Sequence, residues 1–468
     1  MLSVSSLTKE KMVAGALWAG AGRLISIAGN IVATMVLARA ISASDYAVYF
    51  VGLTTIVIVS SIGSLGMDQV VVRFVAIPAS RGDPAGIRQV VARCLGIVAF
   101  GALLVSAAFQ LLGPFFFISI LRMPGLVVYT GMLAASIFFA ILQRQLAETF
   151  RALNDIRMAT LSGGMRNGGA LNAVIICVAM VALWVDGQLT LFTSLLTMLG
   201  ASVAIVAMSA FVLWKRLRSR EPRQLATTAP ILGLSVAIHE GWPLGLAAFI
   251  VALNSLGSVW LASPLDTASH VALFAMAQRV VLFLIAPMII INAILPPIVA
   301  ELHSAGQLPR MERVIKSIGG LVLLPSLLLF GLLVFAGRPI LQLMFGAYYE
   351  AAYPVMILLS AGQAMNIATG AWQIVLPMTG SKHQLLISSV IAVVTQFALG
   401  LGLGYFYGVL GVAIGCCASI IITNLAGMLM VRRKLGIWTY ASLNWHTVRE
   451  AAGTITARIT HKLAWQRP

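Results

Sequence analysis

The chain has 468 residues, of which 60% are hydrophobic and only 10% are charged, and its mean hydropathy is +0.98. Soluble globular domains carry about 25% charged residues, so this composition excludes a soluble enzyme and predicts a polytopic membrane protein. The formal net charge of +17 is by itself compatible with nucleic-acid binding. The placement of the basic residues along the chain has to show whether nucleic acid or membrane topology explains this charge.

Twelve apolar segments are each long enough to cross the ~30 Å hydrocarbon core of a bilayer as a helix. We therefore predict an all-α fold with about 12 transmembrane helices. The segments lie near residues 13–38, 46–67, 89–112, 126–147, 159–184, 189–214, 241–262, 268–299, 314–336, 354–378, 384–406 and 410–431.

The basic residues are distributed asymmetrically over the connections between these segments. Most of the 31 Lys and Arg residues fall on the side that carries the N-terminus. The opposite side carries only Arg39, Arg122 and Arg338. This positive-inside pattern predicts that both termini are cytosolic, and it explains the net charge without nucleic acid.

The longest polar break, residues 215–228, separates two groups of six segments. After it, Gly241-Trp242-Pro243 predicts the start of the seventh span, because proline fits the first turn of a helix. Residues 231–240 would then form a short surface helix with Glu240 at the membrane interface; a buried, proton-coupling Glu240 is the alternative. The predicted organisation is an N-terminal six-helix bundle (1–214), a cytosolic linker with a surface helix (215–240), a C-terminal six-helix bundle (241–431) and a basic cytosolic tail (432–468).

The two halves carry a weak internal repeat. Tyr46–Tyr49 resembles Val271–Phe274, which lies 225 residues later, and Phe74–Ala76 resembles Ile298–Ala300 at a shift of 224. Two matches at nearly one offset predict duplicated halves. Because each half has an even number of spans, the halves would have the same orientation, as two pseudo-symmetric bundles with a substrate site between them.

The tail after residue 432 contains apolar residues at helical spacing together with basic residues. This pattern fits a basic amphipathic helix on an anionic membrane surface, and a frayed solvated tail is the alternative. The residues are Val448, Ala452, Ile455, Ile459 and Leu463, with Arg449, Arg458 and Lys462.

Arg23, Arg166 and Arg279 lie inside the first, fifth and eighth predicted spans. An arginine at mid-depth costs about 2.5–3.5 kcal/mol on insertion scales, so it normally faces a protein interior or a wet cavity. Three such cations with almost no acids in the spans predict a shared cavity that binds an anion, and a phosphate or pyrophosphate suits arginine geometry. In the alternative, an arginine extends to the membrane interface or caps a backbone carbonyl.

The amides Asn30 and Asn254 also lie within spans. They could bind sugar hydroxyls, although hydrogen bonds between helices are the commoner use of such residues. We find no phosphate-binding loop, nucleophile elbow or HExxH pair, so we predict no catalytic residue and no enzyme activity. The four cysteines lie in apolar runs, and we predict neither a metal site nor a cofactor.

Four stretches, read in order, resemble the polysaccharide transport, or oligosaccharide flippase, family of the multidrug/oligosaccharidyl-lipid/polysaccharide exporter superfamily. The resemblance covers residues 13–436, and its motifs keep the order and spacing usual in that family. The stretches are Leu37–Ile41 with Asp45–Tyr49, Ser64–Asp68 with Arg73–Ala76, Val271–Phe274 with Arg279 and Pro296-Pro297, and Pro339–Gly346 with Tyr353-Pro354.

The resemblance implies a V-shaped pair of six-helix bundles around a central cavity. It further implies a flippase of the bacterial inner membrane that moves an undecaprenyl-pyrophosphate-linked oligosaccharide from the cytosolic to the periplasmic leaflet. Surface polysaccharide such as O-antigen or exopolysaccharide would be the final product, and a glycan polymerase and glycosyltransferases would be partners. The chain departs from the family at Ala47, where glycine is usual, and at Gly257, near which many relatives carry an aspartate.

Three other functions stay open. A multidrug cation exporter of the same superfamily would need acids within the spans, which the sequence scarcely supplies. A membrane glycan polymerase would need a larger extracytoplasmic loop with catalytic groups. A non-transporting component of glycan synthesis would leave the cost of the arginines within the spans unexplained.

Overall fold

The computed structural model describes residues 4–163, 169–218 and 233–442, and over these ranges it contains helices and no strand. The predicted all-α, polytopic membrane fold is confirmed. Short 3-10 or π-helical turns cover Phe116–Ile120, Pro124–Tyr129 and Ala347–Ala352. The α-helices are α1 (Val4–Ala40), α2 (Ala43–Gly63), α3 (Met67–Ser80), α4 (Pro84–Phe115), α5 (Thr130–Ala152), α6 (Ile156–Ser162), α7 (Ala170–Val185), α8 (Leu191–Arg218), α9 (Leu234–Leu265), α10 (Ala268–Ser304), α11 (Leu308–Phe345), α12 (Tyr353–Ala368), α13 (Trp372–Met378) and α14 (Lys382–Leu435).

The twelve predicted spans correspond to these helices. Ten described helices are long and apolar enough to cross a membrane, and α7 is a shorter apolar helix that follows α6 in the fifth predicted span. Residues 382–435, named α14, contain the last two predicted spans. Gly408 leaves helical geometry at φ 57° and ψ −138° and divides α14 into two helical parts, one for each span. Each predicted span therefore lies on described helices, although the tenth, 354–378, is divided between α12 and α13.

The chain divides into two compact units, residues 1–264 and 265–468. By this division, helix α9 packs with the helices that precede it. Most of the predicted linker 215–240 lies outside the described residues. The domain boundaries read from the sequence therefore stay predictions.

The predicted start of the seventh span at Gly241 is wrong, because α9 is already helical from Leu234 onward. No separate surface helix precedes it within residues 233–240. Gly241 and Pro243 are typical of a helix start when the local sequence is considered alone, but α9 begins earlier, where its tertiary packing allows. The turn between α2 and α3 has Gly66 at φ 71°, and a Cβ added there would overlap the carbonyl oxygen of Gly241 and come within 2.8 Å of the amide nitrogen of Gly245. The glycines of α9 thus let its backbone lie directly against that turn.

The sequence repeat marks positions that are equivalent in structure. Helices α2 and α10 begin 225 residues apart, and each has a hydroxyl N-cap. Ser42 Oγ accepts a hydrogen bond from the Asp45 amide at 3.1 Å, and Thr267 Oγ1 accepts one from the His270 amide at 3.4 Å. The first turns that follow, 46–49 and 271–274, are buried in both helices. The same cap and the same burial recur at one sequence offset.

The structure describes the first part of the predicted tail, residues 432–442. Helix α14 continues to Leu435, and residues 436–442 fold back onto the second unit and hydrogen bond to it, so this stretch is part of the folded unit. The predicted amphipathic helix around 448–463 lies outside the described residues.

Candidate functional site

Arg23 lies on α1 and is half-buried. Its position is about 25 Å from the Ala40 end of the helix, at ~1.5 Å rise per residue. The neighbouring Leu24 is 68% exposed and faces outward, whereas Gly22 and Ser26 are buried. Arg23 therefore sits at the border between the exposed face of α1 and its packed face.

Small residues set how closely α1 approaches its neighbours. A Cβ added to Gly22 would overlap the side chain of Thr160, and one added to Gly29 would lie 3.1 Å from the carbonyl oxygen of Ala173. These contacts bring α1 against α6 and α7, consistent with the role of small residues in packing membrane helices. They also fix the depth and rotation of Arg23.

Asn30 lies two helical turns from Arg23 on the same face of α1. Its Nδ2 donates to the backbone carbonyl oxygen of Ser26 at 2.7 Å. The backbone carbonyl oxygen of Asn30 accepts a hydrogen bond from Thr34 Oγ1 at 2.7 Å. One amide proton is thus committed to the helix backbone, and Oδ1 is the atom best suited to meet a sugar hydroxyl.

Arg279 lies on α10, about 16 Å from the Ala268 end at ~1.5 Å per residue. It is half-buried and follows residues 271–277, all of which are buried, and its Nε is buried. This arginine therefore lies well inside a span and close to the core of the second unit.

Asn254 lies in the middle of α9 and is half-buried. Nearby, Trp260 Nε1 donates to Thr55 Oγ1 at 3.1 Å, and Ser263 Oγ donates to the carbonyl oxygen of Leu121 at 2.6 Å. These bonds hold α9 against α2 and the turn before Pro124, and so fix the height of Asn254.

Arg166 lies outside the described residues. Arg23, Asn30 and Asn254 belong to the first unit and Arg279 belongs to the second. The structure places Arg23 and Asn30 on one helix face; the single anion-binding cavity shared with Arg279 and Arg166 stays a prediction.

The sequence reading missed a set of ion pairs near the predicted cytosolic ends of the helices in the first unit. Arg144 of α5 pairs with Asp68 of α3; the Asp68 side chain is buried and that of Arg144 is 13% exposed. Glu148 accepts two hydrogen bonds from Arg151 at 2.7 and 2.6 Å. Helical spacing of three residues could have revealed the second pair, whereas the first joins residues 76 positions apart.

Glu240 belongs to the same set. Its carboxylate pairs with Arg73 at 2.6 Å, and the side chain is 40% exposed. It is therefore an exposed residue of α9 that is paired with α3, which agrees with the interfacial interpretation and not with a buried proton carrier. Asp155 and Arg216 form a further pair at 2.5 Å.

A different polar cluster lies where α9 meets α10 in sequence. Asp266 accepts hydrogen bonds from the Val409 amide at 2.9 Å, the Thr267 amide at 2.8 Å and His270 Nδ1 at 2.6 Å. Partial burial acts to raise the pKa of Asp266, but these hydrogen bonds and the nearby His270 prevail and lower it. The ionised carboxylate thus fastens the start of α10 to the break at Gly408.

The structure is similar to solved transporter structures. It matches an inward-facing multidrug resistance MATE family transporter of the MOP superfamily with a TM-score of 0.71 and 15% identity, over 88% of this chain and 94% of that chain. It matches the lipid II flippase MurJ in an inward closed conformation with a TM-score of 0.68 and 13% identity, over 90% of this chain and 87% of that chain. A MOP superfamily transporter from Pyrococcus furiosus, whose reverse polarity of binding pocket suggests a different function, matches with a TM-score of 0.62 and 13% identity, over 92% and 96% of the two chains.

No known protein family matches the sequence, and no curated protein matches it either. At these identities the structural matches establish the fold alone: the chain has the fold of transporters and flippases that these proteins share.

Proposed function

We propose that this protein is a flippase that moves an undecaprenyl-pyrophosphate-linked oligosaccharide from the cytosolic to the periplasmic leaflet of a bacterial inner membrane. The observation that carries the proposal is an arginine within a span of each unit, Arg23 in α1 and Arg279 in α10. Placing a cation at such depth in the membrane is energetically costly, and arginines within spans therefore commonly mark a substrate pathway. A pyrophosphate that carries sugars is an anion of the right chemistry for them.

The fold supports a flippase, because a lipid II flippase has it. The four stretches that resemble oligosaccharide flippases support a lipid-linked oligosaccharide for surface polysaccharide as the substrate. Arg23 and Arg279 would hold the pyrophosphate or acidic sugars, with Arg166 assisting, and Asn30 and Asn254 would contact sugar hydroxyls. A glycan polymerase and glycosyltransferases would act beside the protein, which itself catalyses no reaction.

A multidrug cation exporter is the second candidate, because a multidrug transporter shares the fold. Cation binding needs ionised acids that are not already neutralised. Within the described part of α3 and α5, however, Asp68 and Glu148 are both paired with arginines. The pairing of these two acids therefore favours an anionic substrate over a cation.

The experiment is glycan export in cells that lack the protein, complemented with wild type, Arg23→Ala, Arg279→Ala or Arg338→Ala. Arg338 is the matched control, because it is an arginine of α11 whose side chain is 65% exposed. Loss of one charged hydrogen bond costs about 1.5–3 kcal/mol, so we expect roughly a tenfold or greater loss of export for Arg23→Ala and Arg279→Ala. Arg338→Ala is expected to export normally.

Lipid-linked oligosaccharide should accumulate on the cytosolic side in the deletion strain and with both inactive variants. Unchanged export at equal protein level would overturn the role of the arginines. Unchanged export together with lost resistance to cationic drugs would establish the multidrug alternative instead.

A further inference from the structure

The chain after α14 forms a return segment, residues 436–442, that is built into the second unit. Gly436 has φ 74°, which reverses the chain at the helix end. Thr439 is fully buried, and its Oγ1 donates to the carbonyl oxygen of Thr369 at 2.9 Å. The amides of Ala441 and Ser442 donate to the carbonyl oxygens of Ala368 at 2.8 Å and Lys316 at 3.0 Å, which fixes the segment in place.

The return segment is extended, so its side chains alternate between two faces. Ile437 and Thr439 point inward and are buried, and Ile437 joins the apolar core formed with Val431 and Met311. Trp438 and Tyr440 occupy the alternate positions, and Tyr440 is 43% exposed. The two rings lie 6.2 Å apart between centroids and form a small aromatic surface.

Each ring of this surface has a cation over it. The Arg432 guanidinium carbon lies 5.2 Å from the Trp438 ring centroid, and Lys316 Nζ lies 4.2 Å from that of Tyr440. Arg432 also donates to the Gly436 carbonyl oxygen, and Lys316 pairs with Glu312 at 2.5 Å. These contacts hold the two cations and the two rings in one fixed group.

Further charge adjoins this group at the end of α14. Arg432, Arg433 and Lys434 are consecutive and all exposed. The group and its neighbours contain four basic residues and one acid, Glu312, which is paired with Lys316. This surface therefore has a strong net positive charge. Tryptophan and tyrosine are enriched at the level of the lipid headgroups, and basic clusters directly beside a membrane span attract anionic headgroups.

We propose that residues 432–434 and the return segment together bind the phosphate of an anionic phospholipid in the leaflet on this side, predicted to be cytosolic. Arg433 and Lys434 would contact the phosphate, while Trp438 and Tyr440 lie at the boundary between headgroup and acyl chain. The ligand is a bilayer lipid, since the surface adjoins the last membrane span and combines charge with exposed rings. This site is separate from the proposed flippase cavity and does not depend on it.

The test is lipid binding by the full-length protein in detergent, measured by native mass spectrometry during titration with phosphatidylglycerol or phosphatidylcholine. We expect preferential retention of phosphatidylglycerol. Each basic residue near a membrane surface contributes enough that removal of two should weaken binding by about tenfold or more. The variant is Arg433→Gln/Lys434→Gln, which spares Arg432 and Lys316 and their structural contacts.

The matched control is Arg81→Gln/Arg310→Gln, which removes two exposed arginines from the same predicted side. It should bind phosphatidylglycerol as the wild type does. Trp438→Ala/Tyr440→Ala should weaken binding and Trp438→Phe/Tyr440→Phe should restore it. Equal losses in both charge variants would mean that net charge alone attracts the lipid, and would overturn the proposal. Complete displacement of the lipid by millimolar inorganic phosphate would overturn it as well, because the site would then be one for free phosphate.

Discussion

The two units treat basic residues on their predicted cytosolic side differently. In the first unit three of the described ion pairs join arginines to carboxylates, Arg144 to Asp68, Arg151 to Glu148 and Arg73 to Glu240, although Arg73 also lies over the Phe74 ring. In the second unit Arg432 lies over the Trp438 ring, whereas Lys316 lies over the Tyr440 ring and also pairs with Glu312. A carboxylate cancels the charge of its partner, whereas an aromatic ring leaves it available.

The contacts of the first unit hold its helices together, whereas those of the second unit lie at its surface. The ion pairs of the first unit join α3 to α5 and to α9, and thereby fix helices that pack against one another. The cation–ring contacts of the second unit fix a short segment at the surface, beside the exposed charges of Arg433 and Lys434. The same positive-inside bias in the sequence therefore supports two different uses.

The largest expected effect comes from breaking the buried pair of the first unit. Asp68→Ala removes the paired carboxylate of the largely buried Arg144 and leaves Glu148 as the nearby acid, which should destabilise the protein by up to about 3–5 kcal/mol. Thermal unfolding in detergent, compared with the wild type, measures the loss. Asp68→Ala/Arg144→Leu, which removes both charges, should recover much of it. A stable Asp68→Ala protein would show that the pair does not support the fold.

A buried polar group of the second unit should give the next largest effect. Asn424 Oδ1 accepts from Trp372 Nε1 at 2.7 Å and from Thr369 Oγ1 at 3.2 Å. Asn424→Ala removes the acceptor of the buried Trp372 Nε1, at a cost of about 1–3 kcal/mol, whereas Thr369 Oγ1 can still donate to the carbonyl oxygen of Asn366. Thermal unfolding again measures it. Asn366→Ala is the control, since Asn366 is half-buried and bonds only within its own helix to Gln363 among the described contacts.

Asp266 should make stability depend on pH. Its pKa is lowered in the folded protein, so the carboxylate stabilises the fold at neutral pH. That contribution is complete above the ordinary aspartate pKa and is lost as pH falls through the lowered folded value. The melting temperature of the wild type should thus fall below about pH 4. Asp266→Asn should already melt lower at pH 7 and respond less to acid; a parallel pH response of the two proteins would contradict this role.

The smallest effect should come from the exposed pair of the first unit. Arg73 is 70% exposed and Glu240 is 40% exposed, so solvent screens their attraction. Arg73→Ala should change the free energy of unfolding by about 0–1 kcal/mol, and the change should shrink in high salt. Equal destabilisation by Arg73→Ala and Asp68→Ala would show that burial does not separate these pairs.

Hydropathy predicted the spans because the bilayer imposes length and apolarity on each helix independently of its neighbours. The start of α9 could not be predicted, since the close approach of Gly241 to Gly66, 175 positions away, is a tertiary contact that local sequence does not show. The pair of Arg73 and Glu240 joins residues 167 positions apart and is likewise invisible to local spacing. The return segment was missed because seven residues show no periodicity long enough to interpret.

For the candidate site, the sequence identified Arg23, Arg279, Asn30 and Asn254 by their depth within spans. It could not show that Asn30 already donates to the Ser26 carbonyl, because that depends on the side-chain rotamer. The arginines are identified more securely, since few alternatives exist for a charge within a hydrophobic helix.

The hydroxyl caps at Ser42 and Thr267 bear on how the halves could diverge. Both residues hold the first turn of a helix through the same amide, three positions on. The two sites therefore share a hydrogen bond that both serine and threonine can make, and they do not share a residue. Exchange of the two, Ser42→Thr with Thr267→Ser, should leave the protein unchanged. Sequence identity between the halves can thus decay while the local architecture at these helix starts persists.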